Sequence, residues 1–275
     1  KGGSAAAREG QRLIVAPGGH AGLDSKIGAV DLGADAKFDI DGTTLAWYDY
    51  LFKGAKNQFA SDNRASIFVL GRNEWRQEKG WPLTRAKDTR YYLHAPANVT
   101  VATPGKTGML TTKLPGNQKP DVYVYDPAKP VPTIGGALCC EPLKSGIGIQ
   151  DQRSVAARDD VLVYTMPAFA KDTEVTGPIS LDLYVSSSAV DTDFTGMLVD
   201  VWPDGFVQNL TSGILRLRYR ESMETAKLAQ PGKIYRITVD LGNTSNVFRA
   251  GHKLRLVVSS SDFPRFDRNL NTGED

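Results

Sequence analysis

Apolar and polar residues alternate in two different textures along this chain. In the first part, isolated apolar runs are set in polar surroundings. Leu13-Ile14-Val15-Ala16 breaks into Pro17-Gly18-Gly19 where His20 appears, the pattern of a buried strand delivering a side chain into a loop. Residues 1–10 read as an exposed helix end or loop, and the Gly-, Asp- and Ala-rich stretch 21–41 reads as loop. Over 43–57 the period turns helical: Leu45, Tyr48 and Phe52 stand on one stripe that Trp47 and Leu51 widen, with Asp41 as N-cap and Gly54 as stop. This predicts an amphipathic helix packed on a sheet. Ser66-Ile67-Phe68-Val69-Leu70-Gly71 predicts a short buried strand, and residues 73–82 a turn-rich connector bearing Trp75 and Trp81.

Beyond it, short β-rich runs recur at 89–94, 121–125, 161–165, 179–186, 196–202, 213–220, 233–240 and 253–260. Leu181, Leu183 and Val185 alternate with Asp182 and Tyr184, the period of a half-buried strand. Turns such as Trp202-Pro203-Asp204-Gly205 separate the runs, and no helical pattern lies between them. The expected fold is mainly β, an antiparallel sandwich. The texture changes near residues 70–90, so two units are expected, 1–75 and 76–275.

Composition narrows the function classes. Thirty-three Lys and Arg against 31 Asp and Glu give a net charge of +2 with no basic tract, which argues against a nucleic-acid partner. No window approaches the roughly 18 apolar residues of a membrane span, and no secretory signal is visible. A chain that opens on Lys1 is expected to have a processed, tagged or excised beginning. The cytoplasm is the default compartment, with a secreted or periplasmic location left open. The two cysteines, Cys139 and Cys140, are adjacent, and are expected to be reduced because a vicinal disulfide closes a strained ring.

Several residues are candidates for chemistry. A histidine after a strand, in a Gly-rich loop and ahead of a helix, is where an α/β-hydrolase carries its base. The chain order there is Ser, Asp or Glu, then His, so both partners of His20 would precede residue 1. No Gly-x-Ser-x-Gly occurs in the chain. From spacing alone His20 is either that base or an ordinary strand-end residue. His94 and His252 read as strand-end or turn residues. Asp191-Thr192-Asp193-Phe194-Thr195-Gly196 opens like a calcium loop, but Trp202 stands where the bidentate Glu belongs. Turn-capping acids are the simpler reading, with another oxygen-rich calcium geometry left open. Arg216, Arg218 and Arg220 on one strand face could hold an anion, or pair with acids on a neighbouring strand. Sequons occur at Asn98, Asn209 and Asn243.

Taken together, these residues resemble the X-Pro dipeptidyl-peptidase, cocaine esterase and α-amino-acid ester hydrolase family of serine hydrolases. The resemblance covers nearly the whole chain. It rests on Leu13 to His20, on Trp47-Tyr48-Asp49-Tyr50-Leu51-Phe52-Lys53-Gly54, on Tyr125-Asp126-Pro127 with Pro130-Val131-Pro132-Thr133, and on Ala157-Arg158-Asp159-Asp160-Val161-Leu162. The most specific motifs are Asp191-Thr192-Asp193-Phe194 and Phe263-Pro264-Arg265-Phe266-Asp267-Arg268-Asn269.

The resemblance implies that 1–75 is the last strand and helix of an α/β-hydrolase core and 76–275 a jelly-roll β-sandwich. It implies a Ser-Asp-His triad of which this chain holds only His20, so that the chain alone is inactive. It implies a small ester, amide or peptide substrate, a missing N-terminal hydrolase portion as partner, homo-oligomers as an option, and no cofactor or metal. Leu138 and Cys139, in the loop after Gly136, are the candidate wall of the substrate pocket. Two departures stand out: Ala16-Pro17-Gly18 replaces the family's Gly-Pro-Trp before the histidine, and the chain stops at Asp275 where family members continue into at least one more strand. The alternative is a non-catalytic jelly-roll module binding carbohydrate or protein, with Trp75, Trp81 and Trp202 as stacking platforms.

Overall fold

The computed structural model describes residues 3–19, 24–95, 108–137 and 146–274. His20, Leu138, Cys139 and Cys140, and the sequon at Asn98, lie outside the described residues. In chain order the elements are α1 (Ala5–Glu9), β1 (Leu13–Val15), β2 (Lys26–Ile27), β3 (Val30–Asp31), α2 (Ile40–Lys53), β4 (Ala65–Val69), β5 (Glu74–Glu78), β6 (Tyr92–His94), β7 (Gly108–Thr111), α3 (Arg153–Ala156), β8 (Leu162–Thr165), β9 (Thr173–Val185), β10 (Asp193–Val201), β11 (Val207–Arg216), β12 (Tyr235–Phe248) and β13 (Lys253–Ser259). The fold is mainly β.

Among the described residues the largest sheet has the order β11-β10-β13-β8-β7-β6, and a long antiparallel pair, β12-β9, lies across it. Strand alternation makes the core between them. Leu254, Leu256 and Val258 of β13 meet Leu181 and Val185 of β9 and Ile237, Val239 and Leu241 of β12 in one buried cluster. Val257 points the other way, joining Val199, Val201 and Val207 under Val131, Val155 and Val161. One sheet thus buries both faces, which is why β10 is almost continuously buried.

The N-terminal third forms a separate small sheet, β1-β4-β5, in which β1 runs parallel to β4 with Leu13 opposite Ala65 and Val15 opposite Ile67. β4 then reaches the sandwich: Leu70 N–H donates to the Ser245 carbonyl at 3.0 Å, and Val247 N–H to that of Leu70 at 2.8 Å. Arg76 of β5 grips Glu174 of β9 with two hydrogen bonds of 2.8 and 2.7 Å. Small sheet and sandwich are therefore laced by backbone and by charge.

Several expectations need correction. The helix begins earlier than its period suggests: the N-cap is Asp39, whose carboxylate accepts from Gly42 N–H at 2.9 Å, and Gly54 ends it in the left-handed conformation. Its predicted stripe is not packed on a sheet, since Leu45 is 65% and Phe52 79% exposed. What anchors α2 is the neighbouring edge, where the Trp47 ring sits 5.1 Å from Phe59 and Asn57 donates to the Ala46 carbonyl at 2.6 Å. The connector after Gly71 contains strand β5, which pairs with β4 from Ala65↔Glu78 to Val69↔Glu74.

Residues 121–125, expected as a strand, join no ladder. Their tyrosines spend their hydroxyls elsewhere, Tyr123 on Ser260 at 2.6 Å and Tyr125 on the Asn269 carbonyl at 3.1 Å. Burial pushes the Tyr123 phenol up to about 12. No helix among the described residues is long and apolar enough to cross a membrane.

Candidate functional site

The segment that leads to His20 is positioned from two sides. Leu13 N–H donates to the Arg64 carbonyl at 2.8 Å, and Arg12 donates to that of Phe59 at 2.9 Å, so β1 is held against β4 and the turn that anchors α2. Downstream of the histidine, the β2–β3 hairpin turns through Gly28, which has φ +63° and lies so flat on Ile149 that a Cβ would come within 2.2 Å of its carbonyl oxygen. Ala29 N–H donates to that same carbonyl at 2.7 Å. Leu32, Ala36, Phe68 and Ile149 close a buried cluster there, with Ile27 and Phe206 packed on it.

Ile149 belongs to the neck of a loop. Gly136 and Gly148 exchange two backbone hydrogen bonds, of 2.7 and 3.0 Å, and the chain between them runs through Leu138 and Cys139. The neck is clamped to the sandwich by amide side chains. Gln152, 1% exposed, donates to the carbonyls of Ile134 at 2.7 Å and Gln150 at 3.2 Å. Asn209 donates to the Gly148 carbonyl at 3.1 Å and accepts from Gln150 N–H at 2.8 Å. The structure thus brings the base of the loop carrying Leu138 and Cys139 against the hairpin that follows His20.

A second polar group at this junction was invisible in the sequence. His252 Nδ1 lies 2.9 Å from Asp200 Oδ1, Asn246 donates to the other carboxylate oxygen at 3.4 Å, and Trp202 lies beside the imidazole with ring centroids 5.6 Å apart. Burial pushes the Asp200 carboxyl up against the opposing pull of His252. The partners come from the end of β10 and the β12–β13 turn, some fifty positions apart in sequence, so no local spacing could have revealed them. No hydroxyl or thiol is hydrogen-bonded to His252 among the described residues, and the pair reads as a buried structural one.

The other candidates are also resolved by their partners. Arg216 pairs with Asp193 at 3.0 Å and Arg218 with Asp191 at 2.7 Å. β11 ends at Arg216 and a turn of 3-10 helix follows, so the three arginines do not share a strand face. This corrects the anion-face option and gives the acids of the calcium-like motif arginine partners. Among the described residues no group of three or more His, Cys, Asp and Glu side chains is placed to hold a metal. His94 faces the Lys113 carbonyl at 2.9 Å and the Thr111 hydroxyl at 3.0 Å. Trp75 packs on Phe38 and Phe68 and donates to the Asp35 carbonyl at 2.9 Å, Trp81 joins Ile67, Val69 and Val247, and Trp202 packs on Phe206. All three are partly buried and make packing contacts.

Comparison with known proteins finds relatives of this chain. Residues 57–275 match the family described as the X-Pro dipeptidyl-peptidase C-terminal non-catalytic domain. Cocaine esterase of Rhodococcus sp. (strain MB1 Bresler) is 42% identical over 265 residues, which is 95% of this chain and 46% of that protein. A putative Xaa-Pro dipeptidyl-peptidase of Bacillus anthracis is 27% identical over 92% of this chain and 36% of its own length. Among solved structures, an aminopeptidase from a marine sediment Thaumarchaeota archaeon aligns with a TM-score of 0.79 at 27% identity, over 96% of this chain and 44% of that one. An α-amino acid ester hydrolase aligns with a TM-score of 0.76 at 27% identity, over 95% and 44%. The chain spans less than half the length of each of these relatives. By its family match over 57–275, it belongs to the X-Pro dipeptidyl-peptidase C-terminal non-catalytic domain family, and its relatives include an esterase and a putative dipeptidyl-peptidase.

Proposed function

We propose that this chain is the C-terminal portion of a serine hydrolase that cleaves esters or amides, in which residues 1–75 contribute His20 to the catalytic core and 76–275 form a jelly-roll domain that helps to wall the substrate site. The observation that carries the reading is the Ala29 to Ile149 hydrogen bond of 2.7 Å. It ties the hairpin following His20 to the neck of the loop holding Leu138 and Cys139. The family match starts at residue 57, downstream of His20, which agrees with a histidine that belongs to the catalytic part and not to the non-catalytic domain.

In this reading the nucleophilic serine and the triad carboxylate come from the N-terminal portion. His20 as a neutral imidazole takes the proton from the serine hydroxyl as its oxygen attacks the carbonyl carbon, then returns it to the leaving alkoxide or amine. Water repeats the cycle on the acyl-enzyme: His20 takes its proton, the ester bond to serine breaks, and the serine oxygen is reprotonated. The carboxylate fixes the tautomer and orientation of the ring. The substrate is a small ester, amide or X-Pro peptide, and no cofactor is required. The exposed stripe of α2, with Leu45 and Phe52, together with the half-exposed edge strand β1, is the surface on which the N-terminal portion packs.

The test is direct. The purified 275 residues should not turn over a p-nitrophenyl ester, whereas the protein completed with its N-terminal portion should. In that active protein His20→Ala should remove most of the turnover. Activity in the isolated chain, or activity surviving His20→Ala, would overturn the assignment.

A further inference from the structure

We propose that Arg255 is a docking residue for the N-terminal portion of the complete protein, taking an acidic side chain of that portion on the outer face of strands β13 and β8. The proposal rests on the functional reading above, in which such a portion exists, and adds the place and the chemistry of one contact.

Arg255 stands in a row of side chains that crosses the six-stranded sheet. It lies opposite Val199 of β10 on one side and Thr165 of β8 on the other, and Thr165 in turn lies opposite Met109 of β7. Directly opposed residues share a face. The row is therefore on the side that carries Val199, Val201 and Val257, away from β9 and β12. Near β10 that side is covered by Val131, Val155 and Val161. At the far end of the row Met109 is 51% exposed.

Between these two regions the Arg255 side chain is half-buried, and its Nε donates to the Thr165 hydroxyl at 2.9 Å. That neutral oxygen is its one hydrogen-bond partner among the described residues, whereas Arg76, Arg158, Arg216 and Arg218 each pair with an acid. Burial pulls the Arg255 guanidinium below its ordinary value, and no carboxylate opposes that pull. A desolvated cation is costly until it is paired. With both Nη groups unspent, its planar fork matches a carboxylate in the two-bond mode.

The position of Arg255 says where that carboxylate comes from. β13 leaves the turn at which Arg249 Nε donates to the Gly71 carbonyl at 2.8 Å, and it begins at Lys253, opposite Val201. Phe206, across the tight turn from Val201, packs on the cluster of Leu32, Ala36 and Phe68. Arg255 is thus one row in from a contact already made by residues 1–75. The catalytic part of the relatives is larger than that piece, since this chain spans only 46% of cocaine esterase and 44% of the archaeal aminopeptidase.

The experiment uses the complete protein with Arg255→Lys and Arg255→Met. A carbodiimide couples an amine to a carboxylate in contact with it, so treatment of Arg255→Lys, followed by proteolysis and mass spectrometry, reads which acid faces position 255. The expected product joins position 255 to an Asp or Glu of the N-terminal portion. Arg255→Met strands that acid and should lower the melting temperature by about 5 °C. Lys253→Met, at an exposed position one row away, should leave it within about 1 °C. A link to an acid of residues 1–275, a link between two copies, or no link overturns the proposal. So does an unchanged or higher melting temperature in Arg255→Met, the result for a half-buried cation that has no partner. A wild-type melting temperature that rises with added phosphate, with no link formed, assigns the site to a free anion instead. If Arg255→Met does not fold, the link in Arg255→Lys decides. His20→Ala, assayed in parallel on a p-nitrophenyl ester, separates the two failures. Activity lost there with no link at position 255 refutes the docking alone, whereas activity surviving there refutes the functional reading itself.

Discussion

Arg218 Nε lies 2.7 Å from Oδ2 of Asp191, with 5% and 0% of the two side chains exposed. The pair is the centre of a buried polar network. Asp191 also accepts from Arg218 N–H at 2.9 Å, and Asn269 donates to both Asp191 and Asp193, at 2.9 and 2.8 Å. Asp193, whose carboxyl burial pushes up, is steadied by Arg216. Arg218 reaches the Glu274 carbonyl at 3.0 Å, and Tyr125 caps Asn269. The network thus fastens the C-terminal segment and the 121–125 segment onto the sandwich.

A buried ion pair gains little over an apolar pair of the same shape, but removing one partner strands the other. Asp191→Ala should therefore cost about 3–5 kcal/mol in urea unfolding. Adding Arg218→Met to that variant should recover part of the loss. A double variant no better than the single one would mean that the remaining bonds of the network carry its stability.

The Glu78 carboxylate, 6% exposed, is gripped by Arg85 through two short bonds and lies 2.7 Å from Arg76 Nε. Hydrogen bonding from Arg85, followed by the attraction of both guanidinium groups, holds its carboxyl below the usual value of 4.5. A lowered folded value means stability that is present above pH 4.5 and lost as the pH falls through the folded value. Glu78→Gln should lower stability near neutral pH by about 1–3 kcal/mol. The gap to the wild type should close as the pH drops below 4.5. Urea melts at neutral and acid pH read this directly, and a gap that persists at low pH would show that the loss is one of packing.

The apolar stripe of α2 gives a prediction with two halves. Leu45 and Phe52 are 65% and 79% exposed, so in the 275-residue chain Leu45→Lys and Phe52→Lys should change stability by no more than about 0.5 kcal/mol. In the complete protein, on the proposed packing of the N-terminal portion against this stripe, the same changes place charges in an apolar interface. They should lower soluble yield and thermal stability together. Equal tolerance in both settings would show that this stripe faces water throughout.

β-rich runs between turn signals located most of the sandwich, including those containing β10, β12 and β13. Leu181, Leu183 and Val185 on β9 were legible besides because a strand with one buried face repeats every two residues. The lone histidine after an apolar run, and the motifs that tie this chain to its family, were legible in the same way. The sequence did not reveal β5, whose Glu-Trp-Arg-Gln-Glu has no apolar face and becomes a strand only by pairing with β4 and binding Glu174. Nor did it reveal that Tyr123 and Tyr125 give their hydroxyls to distant residues instead of joining a ladder.

Local sequence thus determined the element types, the mainly β class and the family, since periodicity and turn chemistry act over a few residues. Partner choice was decided only by the tertiary structure. It joined Arg218 to Asp191, His252 to Asp200, and Asn209 to Gly148 and Gln150, across separations of 27, 52, 61 and 59 residues. Such pairs form where folding removes water from groups that must then satisfy one another, and no residue's own sequence neighbourhood names the one it will meet.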